Sequence, residues 1–225
     1  MKDLITIGLP SKGRLKDKSI SFFNNKGLKI LQSEKERNYF GTIENENNIK
    51  IIFLHAKEII QRLGDGTLDI GVSGLDLLKE SNKNLQNKIN VQKKLDFGNA
   101  NLVIAVPDDW IDVQTIADIE EVSFDIRSKR NSRLRVATKY PNLTNDFLIS
   151  KGVTQYKLIP SLGATETYPF IGSSEIITDI TSTGKTLADN NLRVLKDGLI
   201  LSSRACLFIA KKKAAKLQPF LKSFE

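Results

Sequence analysis

One short stretch, Glu175 to Leu187 (EIITDITSTGKTL), holds the densest set of groups able to do chemistry in this chain. Ser182, Thr183 and Thr186 bring hydroxyls, Gly184 lets the backbone approach a ligand closely, and Lys185 brings a positive charge. These are groups that hold a phosphate. Ile176, Ile177 and Ile180 before them read as a strand, and Lys185-Thr186-Leu187 reads as the start of a helix. A strand that turns through small residues into a helix is an anion cradle. The first helical N–H groups lack partners within the helix, and the helix dipole favours negative charge there. Asp179, at the strand end, is placed for sugar hydroxyls or a hydrated metal ion. A weaker set follows the first strand: in Pro10-Ser11-Lys12-Gly13-Arg14-Leu15, Lys12 and Arg14 suit a second phosphate cluster, the arginine forking across its oxygens.

The chemistry these groups leave out is equally informative. His55 is the only histidine, so neither a histidine-based metal cluster nor a Ser-His-Asp triad on any other histidine is available. Cys206 is the only cysteine, so no intrachain disulfide exists, and its apolar neighbours Ala205, Leu207 and Phe208 mark it as a core residue. The net charge of +8 suits anionic ligands, but the basic residues are scattered and not interleaved with aromatics, which argues against nucleic acid. The N-terminal MKDLITIGLP is too short for a secretory leader and no apolar run approaches a membrane span, so a cytoplasmic protein is expected.

At 225 residues, 40% of them hydrophobic, the chain suits two small lobes or one large α/β domain. Strands are expected at residues 4–7, 28–31, 68–74, 102–106, 134–138, 156–159, 176–180, 192–195 and 205–210, with a hairpin over 39–54. Helices are expected from about 14 to 25, 56 to 63, 75 to 80, 109 to 121, 143 to 150 and 211 to 224, and 163–171 reads as a polar turn or helix. Glu34–Asn38 (EKERN) reads as a solvated charge run, and Phe124–Arg133 (FDIRSKRNSR) as a basic, irregular surface insertion. The near-continuous alternation argues for an α/β protein with mainly parallel sheets. A crossing near 95 and a return near 187 suggest two lobes with a ligand cleft between them: 1–95 plus 188–225 as a discontinuous first lobe, and 96–187 as the second.

GKT resembles the end of a P-loop, but the glycine that motif needs five residues earlier is Asp179. The loop is closer to that of enzymes using phosphoribosyl pyrophosphate (PRPP), in which an acid and small residues precede T-G-x-T-L. The common PRPP transferases carry two adjacent acids, and here the first is Thr178. LDFG (Leu95 to Gly98), RVATKYPNL (Arg135 to Leu143), GATE (Gly163 to Glu166), DITSTGKTL (Asp179 to Leu187) and SSRACL (Ser202 to Leu207) occur in this order, with KGRL (Lys12 to Leu15) and DIGVSG (Asp69 to Gly74) before them. Together they resemble the catalytic subunit of ATP phosphoribosyltransferase, the first enzyme of histidine biosynthesis, over nearly the whole chain.

That resemblance implies a two-lobed fold like a type II periplasmic binding protein. It also implies a reaction in which adenine N1 of ATP displaces pyrophosphate from PRPP, with Mg²⁺. The unprotonated N1 needs no general base, so catalysis would rest on positioning and electrostatics. By motif, Ser182, Thr183, Gly184, Lys185 and Thr186 would hold the 5′-phosphate, and Asp179 and Glu166 the ribose hydroxyls, with Glu166 assisting Mg²⁺. Arg14 with Lys12 would meet pyrophosphate or the ATP phosphates, Asp69 and Tyr140 the nucleotide, and Arg37 a neighbouring subunit's site in a homodimer. Arg14, Glu166 and Asp179 would carry the catalysis. The chain ends where the long form of the family adds a regulatory domain, so it resembles the short form, which works in a hetero-oligomer with a regulatory subunit resembling histidyl-tRNA synthetase. The 124–133 segment is longer and more basic than usual, and suits either a species-specific loop or a contact with that subunit. The competing readings are a non-catalytic two-lobed ligand binder, another PRPP-dependent transferase and, last, a nucleic-acid-binding protein.

Overall fold

The structure, a computed structural model, describes residues 4–32 and 39–221. Arg37 and the Glu34–Asn38 charge run lie outside the described residues. The chain divides into two compact units, 1–98 with 204–225, and 99–203 inserted between those pieces.

In the first unit the elements run β1 (Ile5–Pro10), α1 (Gly13–Asn25), β2 (Ile30–Gln32), β3 (Phe40–Ile43), β4 (Glu46–Leu54), α2 (Ala56–Asp65), β5 (Ile70–Gly74), α3 (Leu75–Glu80), α4 (Lys83–Gln86) and β6 (Ile89–Lys94). The second unit supplies β7 (Ala100–Pro107), α5 (Ile116–Arg130), β8 (Leu134–Thr138), α6 (Pro141–Ser150), β9 (Tyr156–Pro160), β10 (Ile176–Thr181), α7 (Lys185–Ala188) and β11 (Leu192–Ser203). The chain then returns to the first unit with β12 (Ala205–Ala210) and α8 (Ala214–Leu221).

The first sheet has the order β2-β3-β4-β1-β5-β12-β6 and is covered on both faces. Alternation along β12 shows it: Ala205, Leu207 and Ile209 enter one core with Ile7, Leu9 and Phe23. Cys206, Phe208 and Ala210 enter another with Ile59, Ile60 and Leu63 of α2. Cys206 is therefore a core residue as expected, and burial pushes its thiol pKa up. Gly8 and Gly71 let α2 lie close. A Cβ on Gly8 would meet Leu68 Cδ1 at 2.4 Å, and one on Gly71 would meet Ile59 Cγ2 at 2.5 Å.

The second sheet has the order β11-β7-β10-β8-β9. On one face Ile116 and Ile119 of α5 and Leu148 of α6 pack against Ile104, Val136 and Ile176. The other face carries Val103, Ala105, Ala137 and Ile177, covered by Leu187 of α7 and Leu192, with Tyr168 and Ile159 packed against them.

Several expectations change. Both sheets are mixed rather than mainly parallel. The β4-β1-β5 and β10-β8-β9 neighbours are parallel, whereas the hairpin strands, β12 and β7 run antiparallel to their neighbours. The second unit extends to 203, not 187, because residues 192–203 form one long irregular strand paired with β7. The segment 124–133 is no irregular insertion. Helix α5 starts late, at a Thr115–Asp118 capping box, and without glycine or proline it runs to Arg130, where Asn131 takes a left-handed conformation (φ 49°).

Candidate active site

The second unit's parallel strands β10, β8 and β9 all point their carboxyl ends to one edge of the sheet. That edge of an open α/β sheet is where ligands bind. The loops that leave it carry Thr181 to Lys185 after β10, Lys139 and Tyr140 after β8, and Ser161 to Glu166 after β9. Motifs more than forty residues apart in the chain are thus assembled by strand pairing.

Side-chain alternation settles which groups share a face. Ile177 packs with Ala137 and Val103, so Asp179, two residues on, lies on that same face, directly across from Val103 in the antiparallel register. On its other side Thr178 is paired with Thr138, which puts Lys139 beside Asp179 and on the face of Ala137. Ser161 continues the row: its N–H donates to Thr138 O (3.0 Å), and Ile159 before it packs on this face. A cross-strand row of Asp179, Lys139 and Ser161 results.

Asp179 is 9% exposed, and its Oδ1 accepts from the Ile180 N–H (2.8 Å). Burial pushes its carboxyl above the usual range; the Ile180 N–H and Lys139 pull it down, and the like charge of Glu166 pushes it up. Glu166 sits in a 3-10 turn, Thr165–Thr167, which packs on β10. That turn is entered through Ala164 at φ 37°, a costly conformation for a residue with a Cβ, and Ser161 Oγ braces it through Gly163 O (3.0 Å) and Thr165 Oγ1 (2.9 Å).

The loop after β10 differs in detail from expectation. Helix α7 is a single turn, so its dipole is small and the cradle is chiefly loop backbone and side chains. Gly184 takes φ 75° and donates its N–H to Thr181 Oγ1 (2.8 Å), while the Lys185 N–H donates to Thr183 Oγ1 (3.4 Å). Threonine oxygens thus satisfy both N–H groups within the loop. Ser182, Thr183, Lys185 and Thr186 are exposed.

The remaining predicted residues sort differently. Lys12 and Arg14 are exposed at the start of α1, whose first turn has no acidic residue, and Gly13 between them takes φ 71°. They belong to the first unit, at the carboxyl end of β1. Asp69 does not join them. It lies at the opposite, amino end of the β1–β5 pair, where its Oδ2 accepts from the Thr6 N–H (2.8 Å) and its Oδ1 pairs with Lys213 Nζ (3.3 Å). At 4% exposure it is a buried strand anchor. Tyr140 is buried as well and enters α6 through a hydroxyl network: its N–H donates to Thr138 Oγ1 (2.9 Å), and the Thr144 hydroxyl donates to its carbonyl (2.7 Å). Lys139, Ser161 and Thr181 were missed. Lys139 and Thr181 lie inside recognised motifs and Ser161 two residues before one, but what recruits each is strand register, which the sequence does not spell out.

Residues 55–225 match the family model described as HisG, ATP phosphoribosyltransferase. A curated ATP phosphoribosyltransferase of Brucella melitensis biotype 2 is 45% identical over 92% of this chain and 90% of its own length. Among solved structures, a chain of the ATP phosphoribosyl transferase (HisG:HisZ) complex from Thermotoga maritima is similar with TM-score 0.75 and 24% identity, over 98% of this chain and 96% of that one. A probable amino-acid ABC transporter extracellular-binding protein, ytmK of Bacillus subtilis, has TM-score 0.52 at 12% identity, over 100% of this chain and 92% of that one. The fold is therefore the two-lobed type II periplasmic-binding-protein kind that the family resemblance implied.

Proposed function

The chain belongs to the ATP phosphoribosyltransferase family, and from that premise we propose that the carboxyl edge of the second sheet is its PRPP site. The enzyme is a pentosyltransferase of histidine biosynthesis: adenine N1 of ATP attacks C1 of PRPP and pyrophosphate leaves. The observation that carries the site assignment is the convergence of Asp179, Glu166 and the 182–186 loop at one edge. In this reading Ser182, Thr183, Gly184, Lys185 and Thr186 bind the 5′-phosphate, and Asp179 and Glu166 bind the ribose hydroxyls. Their two carboxylates place negative charge near C1, where cationic character develops as the bond to pyrophosphate breaks. In the first unit, Arg14 and Lys12 are the residues we assign to phosphates of ATP or to pyrophosphate.

Magnesium fits this edge as an ion carried on the substrate. Among the described residues no group of three or more His, Cys, Asp and Glu is arranged to hold a metal alone, whereas Mg²⁺ commonly takes one or two carboxylates plus substrate phosphates. Glu166, with Asp179 close enough to feel its charge, is the carboxylate we assign to it. When bound, the ion would neutralise charge on the phosphate oxygens.

The HisG:HisZ complex supports a hetero-oligomer with a regulatory subunit, and a homodimer of this chain within it is part of our proposal. No described helix is long and apolar enough to cross a membrane. The test is turnover of ATP and PRPP with Mg²⁺, followed by product absorbance with the regulatory subunit present. Thr186→Ala and Asp179→Asn are expected to abolish it. Full activity in both variants would remove the site from this edge.

A further inference from the structure

Lys139 has no role in the assignments above, although it stands in the middle of the row at the substrate edge. It is exposed, directly follows β8, and neighbours Asp179 on the same face of the sheet. In the loops that follow β8, β9 and β10, the basic residues are Lys139 and Lys185. Helix α7, which begins with Lys185, packs on β10 and β11, whereas Lys139 directly follows β8, the neighbour of β10 on its other side.

We propose that Lys139 binds the pyrophosphate group of PRPP and stabilises it as it departs. The inference rests on the PRPP site proposed above and adds a residue to it. A ligand with its 5′-phosphate in the 182–186 loop and its ribose on Asp179 directs its C1 substituent across the edge toward β8. Adjacent strands lie about 4.8 Å apart, and an extended lysine spans more than that, so the ammonium reaches a phosphoryl group one ribose removed from the loop. The step balances without an acid. The C1–O bond breaks and its electron pair leaves on pyrophosphate. The adenine N1 lone pair forms the new C1–N bond, and the ring's added positive charge is relieved when the N6 amino group loses a proton to solvent. Charge grows on the departing oxygen, which is where a fixed cation lowers the barrier. The same ammonium, beside Asp179, offsets the cost of holding that carboxylate buried.

The experiment is calorimetric titration of the full chain, with Mg²⁺, using inorganic pyrophosphate and ribose 5-phosphate as separate probes. Lys139→Ala is expected to weaken pyrophosphate binding by about 10-fold or more and to leave ribose 5-phosphate within about 2-fold, with a cooperative thermal transition retained. Lys139→Arg, which keeps the charge, is expected to restore most of the pyrophosphate affinity. Unchanged pyrophosphate binding in Lys139→Ala overturns the proposal, and so does an equal loss for both probes, which would place the lysine at the 5′-phosphate. Failure of the underlying site assignment reads differently: ribose 5-phosphate would then bind wild type and Thr186→Ala alike.

Discussion

Asp179 shows how one side chain is set against stability for the sake of binding. Its pKa is raised in the folded state, chiefly by burial, so the native state holds this proton more tightly than the unfolded chain does. The sign follows from linkage. The ionised carboxylate costs nothing below the ordinary value of 3.8, and its cost grows as pH rises from there through the raised value. Asp179→Asn is therefore expected to raise the thermal midpoint at neutral pH, to lose that advantage in acid, and to turn over no PRPP. A lower midpoint at neutral pH would mean that the charged bond to the Ile180 N–H outweighs desolvation. Gly184 makes the complementary case through the backbone. A Cβ there meets nothing within 4 Å, so the cost of Gly184→Ala comes from the φ of 75° alone, about 1 kcal/mol. Calorimetry with ribose 5-phosphate should show weaker binding as the loop relaxes toward a permitted conformation, and retained affinity would show that the left-handed turn is dispensable.

At the scale of elements, chemistry was more legible than geometry. The strand–turn–helix around Asp179 and the β1–α1 entry were readable because their residue types are set by local backbone demands. Strand β6 escaped notice because its pattern is mostly polar: it is an edge strand with Ile89 buried and its neighbours exposed. The length of β11 was hidden by register shifts that break alternation after Val194. Lys139 and Ser161 were invisible as site residues because only pairing with β10 and β8 brings them in. The basic 124–130 run looked like a loop because its apolar residues are sparse, yet a helix needs only an entry cap and no breaker to continue. That cap is testable. Asp118 accepts from the Gln114 N–H (2.8 Å), the Thr115 N–H (2.7 Å) and the Thr115 hydroxyl (2.9 Å), which hold its carboxyl below its ordinary value. Its contribution is present above the ordinary value of 3.8 and is lost as pH falls through the lowered one. Asp118→Asn should lower the thermal midpoint at neutral pH, and the difference from wild type should vanish in strong acid. A constant difference across pH would assign the effect to packing instead.

At the scale of the whole molecule, the division of labour follows the chain's path. The first unit is built from two separated pieces, since β12 returns after the insertion to lie between β5 and β6. The second unit is one continuous segment, 99–203, with a sheet of its own and apolar cores on both faces. Every residue assigned to the 5′-phosphate and ribose of PRPP, and Lys139 with them, lies in that segment, whereas Lys12 and Arg14 lie in the other unit. A continuous segment that buries its own core is expected to fold alone. Residues 99–203 expressed separately should therefore melt cooperatively by circular dichroism, and should bind ribose 5-phosphate with an affinity near that of the full chain. They should not turn over ATP and PRPP, because Arg14 is absent. Cooperative folding without ribose 5-phosphate binding would mean that the phosphate site depends on residues of the first unit. Failure to fold would mean that the first unit contributes to the stability of the inserted sheet. The proposed outcome makes the substrate half-site a self-contained module, which explains why its motifs are compressed into one stretch of sequence while the first unit's residues flank it.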